Sequence, residues 1–250
     1  MAIFHLINIL LSFLIFWRYM ALSKNRSLQM KTINIDVSLE VNTALCIGSG
    51  VSTSKLGIDK LTMKDKDGNL IIPASTFKGR LRSRCERILG AMKIELCQSP
   101  NADNMCPHYF LKKDKNEKER YCPICNMFGS PWRESPLLFE DLVCKESDYE
   151  GFNTEIRSGT AISRRRGVVD EQKLFFTETS LSNAHPVFKG KIRGKINDDK
   201  ELALLYLGLN EIQLIGSGKT SGLGWCKVCI EPKCLTTDQI AEAMRGWKNE

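Results

Sequence analysis

The sequence predicts an α+β fold, and three stretches of the chain carry that prediction. Lys31 to Val41, KTINIDVSLEV, alternates strictly, with Ile33, Ile35, Val37, Leu39 and Val41 on one face and polar residues on the other. That is the period of a strand buried on one side. Pro73 to Leu89, PASTFKGRLRSRCERIL, repeats Phe77, Leu81, Cys85, Ile88 and Leu89 at helical spacing, so one face of a helix belongs to a core. Glu211 to Glu231, EIQLIGSGKTSGLGWCKVCIE, reads as strand, glycine-rich loop and strand. With 250 residues, 42% of them hydrophobic, the chain fits one large domain or one domain with insertions, and it excludes a disordered protein.

The first segment stands apart. Ala2 to Trp17 is almost wholly apolar, broken by His5, Asn8 and Ser12 and followed by Arg18, Lys24 and Arg26. The run is short for a membrane span of roughly 20 apolar residues, and no basic segment precedes it as in a secretory signal. Two readings stay open. In the favoured one the biological start is Met30 and residues 1–29 lie outside the fold. In the other the run anchors a membrane, and the cations behind it place the body in the cytoplasm. No membrane partner is expected, and the expected location is cytoplasmic.

After the first strand, Ala44 to Leu56 is rich in glycine and serine and predicts an irregular surface connection. Asp59 follows in GIDKL, between apolar neighbours and outside any local turn. In KDKDGNLIIP, Asp65 and Asp67 read as turn residues before a short apolar strand. The helix behind it opens at Pro73, and Ser75 or Thr76 is placed to cap it. Its other positions hold Lys78, Arg80, Arg82, Arg84 and Arg87, and Gly79 lies near its start. A helix N-terminus favours anions, so cations and a missing side chain there make a phosphate seat. A solvated basic face is the alternative. The formal charge of +7 is only moderate, so the argument for an anionic partner rests on where the cations cluster.

Ten cysteines are unevenly spaced in a long chain of ordinary composition, which fits reduced thiols and a metal site better than a disulfide scaffold. Between Cys97 and Gly129 stand Cys97, Cys106-Pro-His108, the charged run KKDKNEKER and Cys122-Pro-Ile-Cys125. A CxxC sets two thiolates on one tight turn at the separation a tetrahedral zinc ion needs. Cys97, Cys106, Cys122 and Cys125 are the expected ligands of a structural Zn²⁺, with His108 the alternative for one of them. A redox CxxC or plain buried thiols would be the other reading, but there is no surrounding βαβ pattern.

Leu137, Leu138, Phe139, Leu142 and Val143 suggest a further strand. Glu155 to Ser180 carries Arg164, Arg165 and Arg166 between two β-prone arms, an extended hairpin shaped to lie along a nucleic-acid backbone. Glu201 to Leu209 reads as an amphipathic helix and Thr237 to Trp247 as a terminal one. The segment GSGKTSG is not a P-loop, because Gln213 stands where its first glycine belongs and a strand follows it. It predicts a loop in which Gly216, Gly218, Gly222 and Gly224 expose backbone N–H groups beside Lys219, a nest for phosphate.

Taken together, the alternating strand, the loop ending in GID, IIPASTFKGRLR, CPICNMFGS, the arginine-rich hairpin and GSGKTSGLGWCKV resemble the RAMP superfamily. The likeness runs over about Lys31 to Glu231. More narrowly it is to the repeated backbone subunit of type III CRISPR effector complexes. The resemblance implies a ferredoxin-like, RNA-recognition-like core in one domain over 30–250, with a zinc-binding insertion at about 94–130 and a thumb hairpin at about 150–182. It implies that Ser75, Lys78, Gly79 and Arg80, with Arg82 and Arg84 beside them, and the loop from Gly216 to Gly224 hold the backbone of a CRISPR guide RNA. Arg164 to Arg166 then belong to a thumb that inserts between guide and target. Copies stack as a filament beside other type III subunits, and target RNA is cut at regular intervals with Mg²⁺ or a similar ion.

The aspartate that catalytic members carry falls on Asp59. RNA brings its own nucleophile, the 2′-hydroxyl, so a single carboxylate that holds a metal or accepts the proton can suffice. His108 and His185 are the histidines of the body and neither sits in the glycine loop, which argues against guide-processing nucleases. Where some catalytic members have a histidine, this chain has Ala44-Leu45-Cys46. A non-catalytic guide-binding scaffold of the same fold is the alternative, and a membrane-tethered adaptor a third reading.

Overall fold

The computed structural model describes residues 30–50, 57–113, 120–145, 154–181 and 185–249. The apolar run Ala2 to Trp17, the end of the glycine- and serine-rich loop and most of KKDKNEKER lie outside them. The first strand, β1 (Lys31–Val41), buries every second residue, as its alternation predicts. It pairs antiparallel on one side with β7 (Val187–Ile196), where Val37 faces Gly190, and on the other with β8 (Cys226–Glu231), where Val37 faces Ile230. Beyond β7 come β4 (Leu142–Cys144) and β2 (Leu70–Ile72), while β3 (Leu137–Phe139) also lies along β7. The predicted strand over 137–143 is therefore two short strands.

The apolar face of this sheet is covered by two helices, α1 (Ala74–Ala91) and α4 (Asp199–Asn210). Phe77, Leu81, Cys85 and Leu89 of α1 share one core with Leu202, Leu205 and Leu209 of α4 and with Ile35, Leu39, Phe188 and Ile192 of the strands. Asp198 caps α4 by accepting from the Glu201 N–H at 2.9 Å, and buried Glu201 accepts in turn from the backbone and side chain of Asn197. The opposite sheet face is charged and open to solvent, with Lys191 of β7 paired to Asp36 of β1 at 2.7 Å. Two short helices of the insertion, α2 (His108–Lys113) and α3 (Pro123–Phe128), and a terminal α5 (Thr237–Arg245) complete the elements.

The strands β5 (Thr154–Ile162) and β6 (Val169–Ser180) form a separate two-stranded ribbon, the hairpin the sequence predicts. Its root is tied to the first loop twice: Ser180 N–H donates to Leu45 O and Leu45 N–H to Ser180 Oγ, both at 2.9 Å. Farther out it exposes Ile156, Ile162, Val169, Leu174 and Phe175.

Three expectations are corrected here. Ala44 to Ile47 does not run over the surface but is buried, because it is wedged between the ribbon root and the glycine-rich loop. The first strand of the closing unit shrinks to a single bridge between Leu214 and Trp225. Neither Ser75 nor Thr76 caps α1: the helix begins at Ala74, so both sit within its first turn, and Asp141 instead accepts the Ala74 N–H at 2.6 Å. Asp65, by contrast, is a turn residue, its Oδ1 accepting from the N–H groups of Asp67 and Asn69.

Candidate nucleic-acid interface and metal centre

The start of α1 faces the glycine-rich loop across a cleft of about 390 Å³, bordered by Thr76, Gly79, Arg80, Ser83, Ser217 and Lys219. Gly79 is exposed, and a methyl group built on it meets nothing within 4 Å, so the backbone there is open to a ligand. Arg80 braces the two walls, its Nε donating to Leu214 O at 2.8 Å. Burial, then the neighbouring Arg84 charge, draws the Arg80 guanidinium below its ordinary pKa. The buried Nε of Arg84 has no partner among the described residues.

The other helix cations are placed differently. Lys78 lies 5.6 Å over the Phe139 ring, and burial followed by the Arg82 charge lowers its pKa. Arg82 faces the cysteines: its Nε bonds Glu86 at 2.9 Å, one terminal nitrogen donates to Gly129 O at 2.8 Å and the other lies 3.6 Å from Cys125 Sγ. Ser75 is exposed on the first turn. Helical spacing alone did not separate these directions.

The glycine-rich loop is a narrower nest than the sequence predicts. The N–H groups of Ser217, Ser221, Gly222, Leu223 and Gly224 all donate to protein carbonyls, because a 3₁₀ turn at Lys219–Ser221 folds the loop back on itself. Those of Gly218, Lys219 and Thr220, at the start of that turn, have no partner among the described residues. Two glycines are required by the backbone. Gly216 has φ +86°, and a Cβ on it would stand 2.6 Å from Cys46 O; Gly224 has φ +74°, and a Cβ on it would overlap Ile215 O.

Ser217 also borders two further cavities. One, of about 350 Å³, is lined by Gly48, Gly50, Asp59, Lys60 and Leu61. The other, of about 440 Å³, lies at the ribbon root between Lys60, Arg157, Phe175, Thr177 and the glycine-rich loop. Asp59 is exposed and held against β6: Phe176 O accepts the Asp59 and Lys60 N–H groups at 3.0 and 3.2 Å, and the Phe176 N–H donates to Asp59 Oδ2 at 2.7 Å. The other carboxylate oxygen, Oδ1, has no partner among the described residues.

Thus α1, the glycine-rich loop and Asp59 come together around Ser217. Arg164, Arg165 and Arg166 do not join them. They form the turn at the far end of the ribbon, seven residues along β6 from Phe176 at Val169, or roughly 23 Å at the rise of a strand.

The metal expectation has a clear geometric test. The sulfurs of Cys97, Cys106, Cys122 and Cys125 lie within 4.8 Å of one another. Cys97 Sγ is 3.7 Å from Cys122 Sγ and 3.5 Å from Cys125 Sγ, near the ~3.8 Å that a tetrahedral Zn–S bond of ~2.3 Å requires. Backbone N–H groups of Cys122 and Cys125 point at Cys106 Sγ and Cys122 Sγ, at 3.2 and 3.5 Å. The thiols titrate as one group, in which hydrogen bonds from Cys106, then Cys125 and Cys97, push Cys122 down toward thiolate. The donor set fits zinc. His108, the alternative ligand, stands outside it, with its ring tilted at 54° against Trp132 and the centroids 4.0 Å apart. No second group of three or more ligands is formed among the described residues, so a divalent ion at Asp59 would depend on oxygens from a bound RNA.

A sequence profile described as the RAMP superfamily matches residues 38–227. The chain belongs to the RAMP superfamily. The matched span of this RAMP domain includes Asp59, α1, the four cysteines, the ribbon and the glycine-rich loop. Over 107 residues the chain is also 32% identical to a protein of Methanocaldococcus jannaschii named CRISPR system Cms endoribonuclease Csm3. That stretch is 42% of this chain and 37% of the relative, so the match spans little more than a third of the relative's length.

Some residues of this candidate site escaped sequence reasoning. Asp141, Ser217, Lys60 and the buried Glu178 owe their places to contacts with distant segments. Only Ser217, inside the glycine-rich motif, carried a local signal.

Proposed function

We propose that this chain is a guide-RNA-binding backbone subunit of a type III CRISPR effector complex, that it cleaves complementary target RNA, and that Asp59 is its acid. One observation carries the reading: Asp59, the start of α1 and the glycine-rich loop border adjoining cavities that share Ser217. In this reading the core is a ferredoxin-like domain, and the four cysteines hold a structural zinc ion that pins an insertion too polar to form a core of its own. The guide backbone lies in the cleft between Gly79 and Lys219, where open backbone, cations and free N–H groups converge. Copies of the chain stack along that guide with other subunits, in the cytoplasm and in antiviral defence, and each copy makes one cut.

The chemistry follows from the residues. Target RNA supplies the 2′-hydroxyl as nucleophile, and holding one nucleotide out of the stack aligns that oxygen with its own phosphate; a 2′,3′-cyclic phosphate forms as the bond to the next nucleotide's 5′-oxygen breaks, and solvent protonates that leaving oxygen. Asp59 lines the adjoining cavity beside Lys60; its Oδ1 is the oxygen left to take the hydroxyl proton, while Oδ2 stays bound to the Phe176 N–H. Asp59 is the residue that would hold Mg²⁺, which would supply charge stabilisation.

The test uses the assembled complex with a guide and end-labelled complementary RNA. Wild type should give evenly spaced products in Mg²⁺, and Asp59→Ala should bind the target but not cut it. Equal cutting by both proteins, or by neither, would leave the non-catalytic scaffold as the better reading.

A further inference from the structure

Among the described residues two charged side chains are buried, Glu201 and Glu178. Glu201 is accounted for by the start of α4. Glu178, on β6 two residues from the backbone group that holds Asp59, has no such local role. Its Oε2 accepts the Thr62 N–H at 3.0 Å, and its Oε1 accepts from Lys64 Nζ at 2.8 Å and from Thr154 Oγ1 at 2.6 Å. Its backbone N–H donates to Lys60 O at 2.8 Å and its carbonyl accepts from Thr62 Oγ1 at 2.7 Å. An ionised carboxylate is costly to bury, and persists where its lone pairs are filled this completely. Burial alone would raise its pKa, but the bonds from Lys64, Thr154 and Thr62 outweigh that and hold it below the ordinary range.

Four of these five bonds clamp Lys60 to Lys64 onto β6, next to Asp59, and the fifth ties the carboxylate to Thr154 of β5. We infer that Glu178 is the positioning residue for Asp59, locking the 60–64 segment so that Phe176 can fix Oδ2 and leave Oδ1 unengaged in the cavity that Asp59 lines. The ribbon itself does not depend on this clamp, because Leu45 and Ser180 fasten its root independently. Loss of the Glu178 carboxylate should thus loosen the Asp59 segment while the ribbon and the guide cleft stay in place. The inference rests on Asp59 being the acid.

The experiment compares wild type, Asp59→Ala, Glu178→Ala, Glu178→Gln and the Asp59→Ala/Glu178→Ala double variant in the assembled, guide-loaded complex. It reads target affinity and the single-turnover cleavage rate over a range of Mg²⁺ concentrations. A misplacement on the order of 1 Å can cost about 100-fold, so Glu178→Ala should cut roughly 10- to 100-fold more slowly with target affinity unchanged. Glu178→Gln keeps the volume and an acceptor for the Thr62 N–H, so it should fall between Glu178→Ala and wild type. Excess Mg²⁺ should restore part of the rate to both Glu178 variants and none to Asp59→Ala. The double variant should be no slower than Asp59→Ala.

Wild-type cutting by Glu178→Ala, or parallel loss of binding and cutting, would overturn the positioning role while leaving Asp59 as the acid. Full activity of Asp59→Ala would overturn the nuclease assignment and the positioning role with it. If Glu178→Ala does not assemble, Glu178→Gln carries the same comparison.

Discussion

Replacing Gly79 with alanine should move stability and RNA affinity in opposite directions. Gly79 lies inside α1, and a methyl group there touches nothing within 4 Å, so no clash offsets the gain in helix propensity. Glycine in a helix interior costs roughly 0.5–1 kcal/mol relative to alanine. For a chain of this size 1 kcal/mol is worth about 2–4 °C, so the melting temperature should rise by about 1–4 °C. The same methyl group stands where an RNA phosphate would meet the helix backbone. Holding the phosphate off by the depth of a methyl group weakens one charge-assisted contact from the cations of the cleft, at about 1.5 kcal/mol, or about tenfold in affinity. Calorimetry of the purified protein and fluorescence anisotropy with guide RNA, at several salt concentrations, would read the two effects separately. A higher melting temperature with unchanged affinity at every salt concentration would refute the approach of RNA to Gly79. A lower melting temperature would refute the open helix surface from which the argument starts.

Three other perturbations are as direct. Gly224→Ala forces a side chain into the left-handed region at about 1–2 kcal/mol and pushes apart the 2.9 Å bond from Ile215 N–H to Gly224 O, worth about 1 kcal/mol more. Its melting temperature should fall by roughly 5–10 °C in the same calorimeter, whereas Gly222→Ala, with nothing within 4 Å, should bear the strain alone. Cys125→Ser should abolish bound zinc, measured by atomic absorption, and should open the insertion to trypsin. In the intact, metal-loaded protein at neutral pH, iodoacetamide should label exposed Cys229 and Cys234. It should spare Cys85 and Cys226, which burial pushes up to about 12 and about 11. Chelation should then add Cys97, Cys106, Cys122 and Cys125 to the labelled set, as peptide mass spectrometry would detect.

The elements of this protein were legible in its residues because each is written in a local period. Ile33 to Val41 shows the two-residue repeat of β1, Phe77 to Leu89 the helical repeat of α1, and Cys122-Pro-Ile-Cys125 the spacing of two thiolates on one turn. Gly216 and Gly224 marked backbone conformations that other residues resist, and Asp59 stood out as a carboxylate with no local reason to be there. Contacts between segments far apart in the chain carry no such signature, and tertiary structure alone decided them. It sent Arg80 to the glycine-rich loop and Arg82 to the cysteines, although the two lie two residues apart on one helix. It gave the capping of α1 to Asp141, buried Ala44 to Ile47, and set His108 against Trp132, outside the four-cysteine cluster. It also set Glu178, an unremarkable polar residue in a strand, behind Asp59. A side chain's neighbours across the fold depend on how the elements cross, and neither period nor spacing along the chain encodes that crossing.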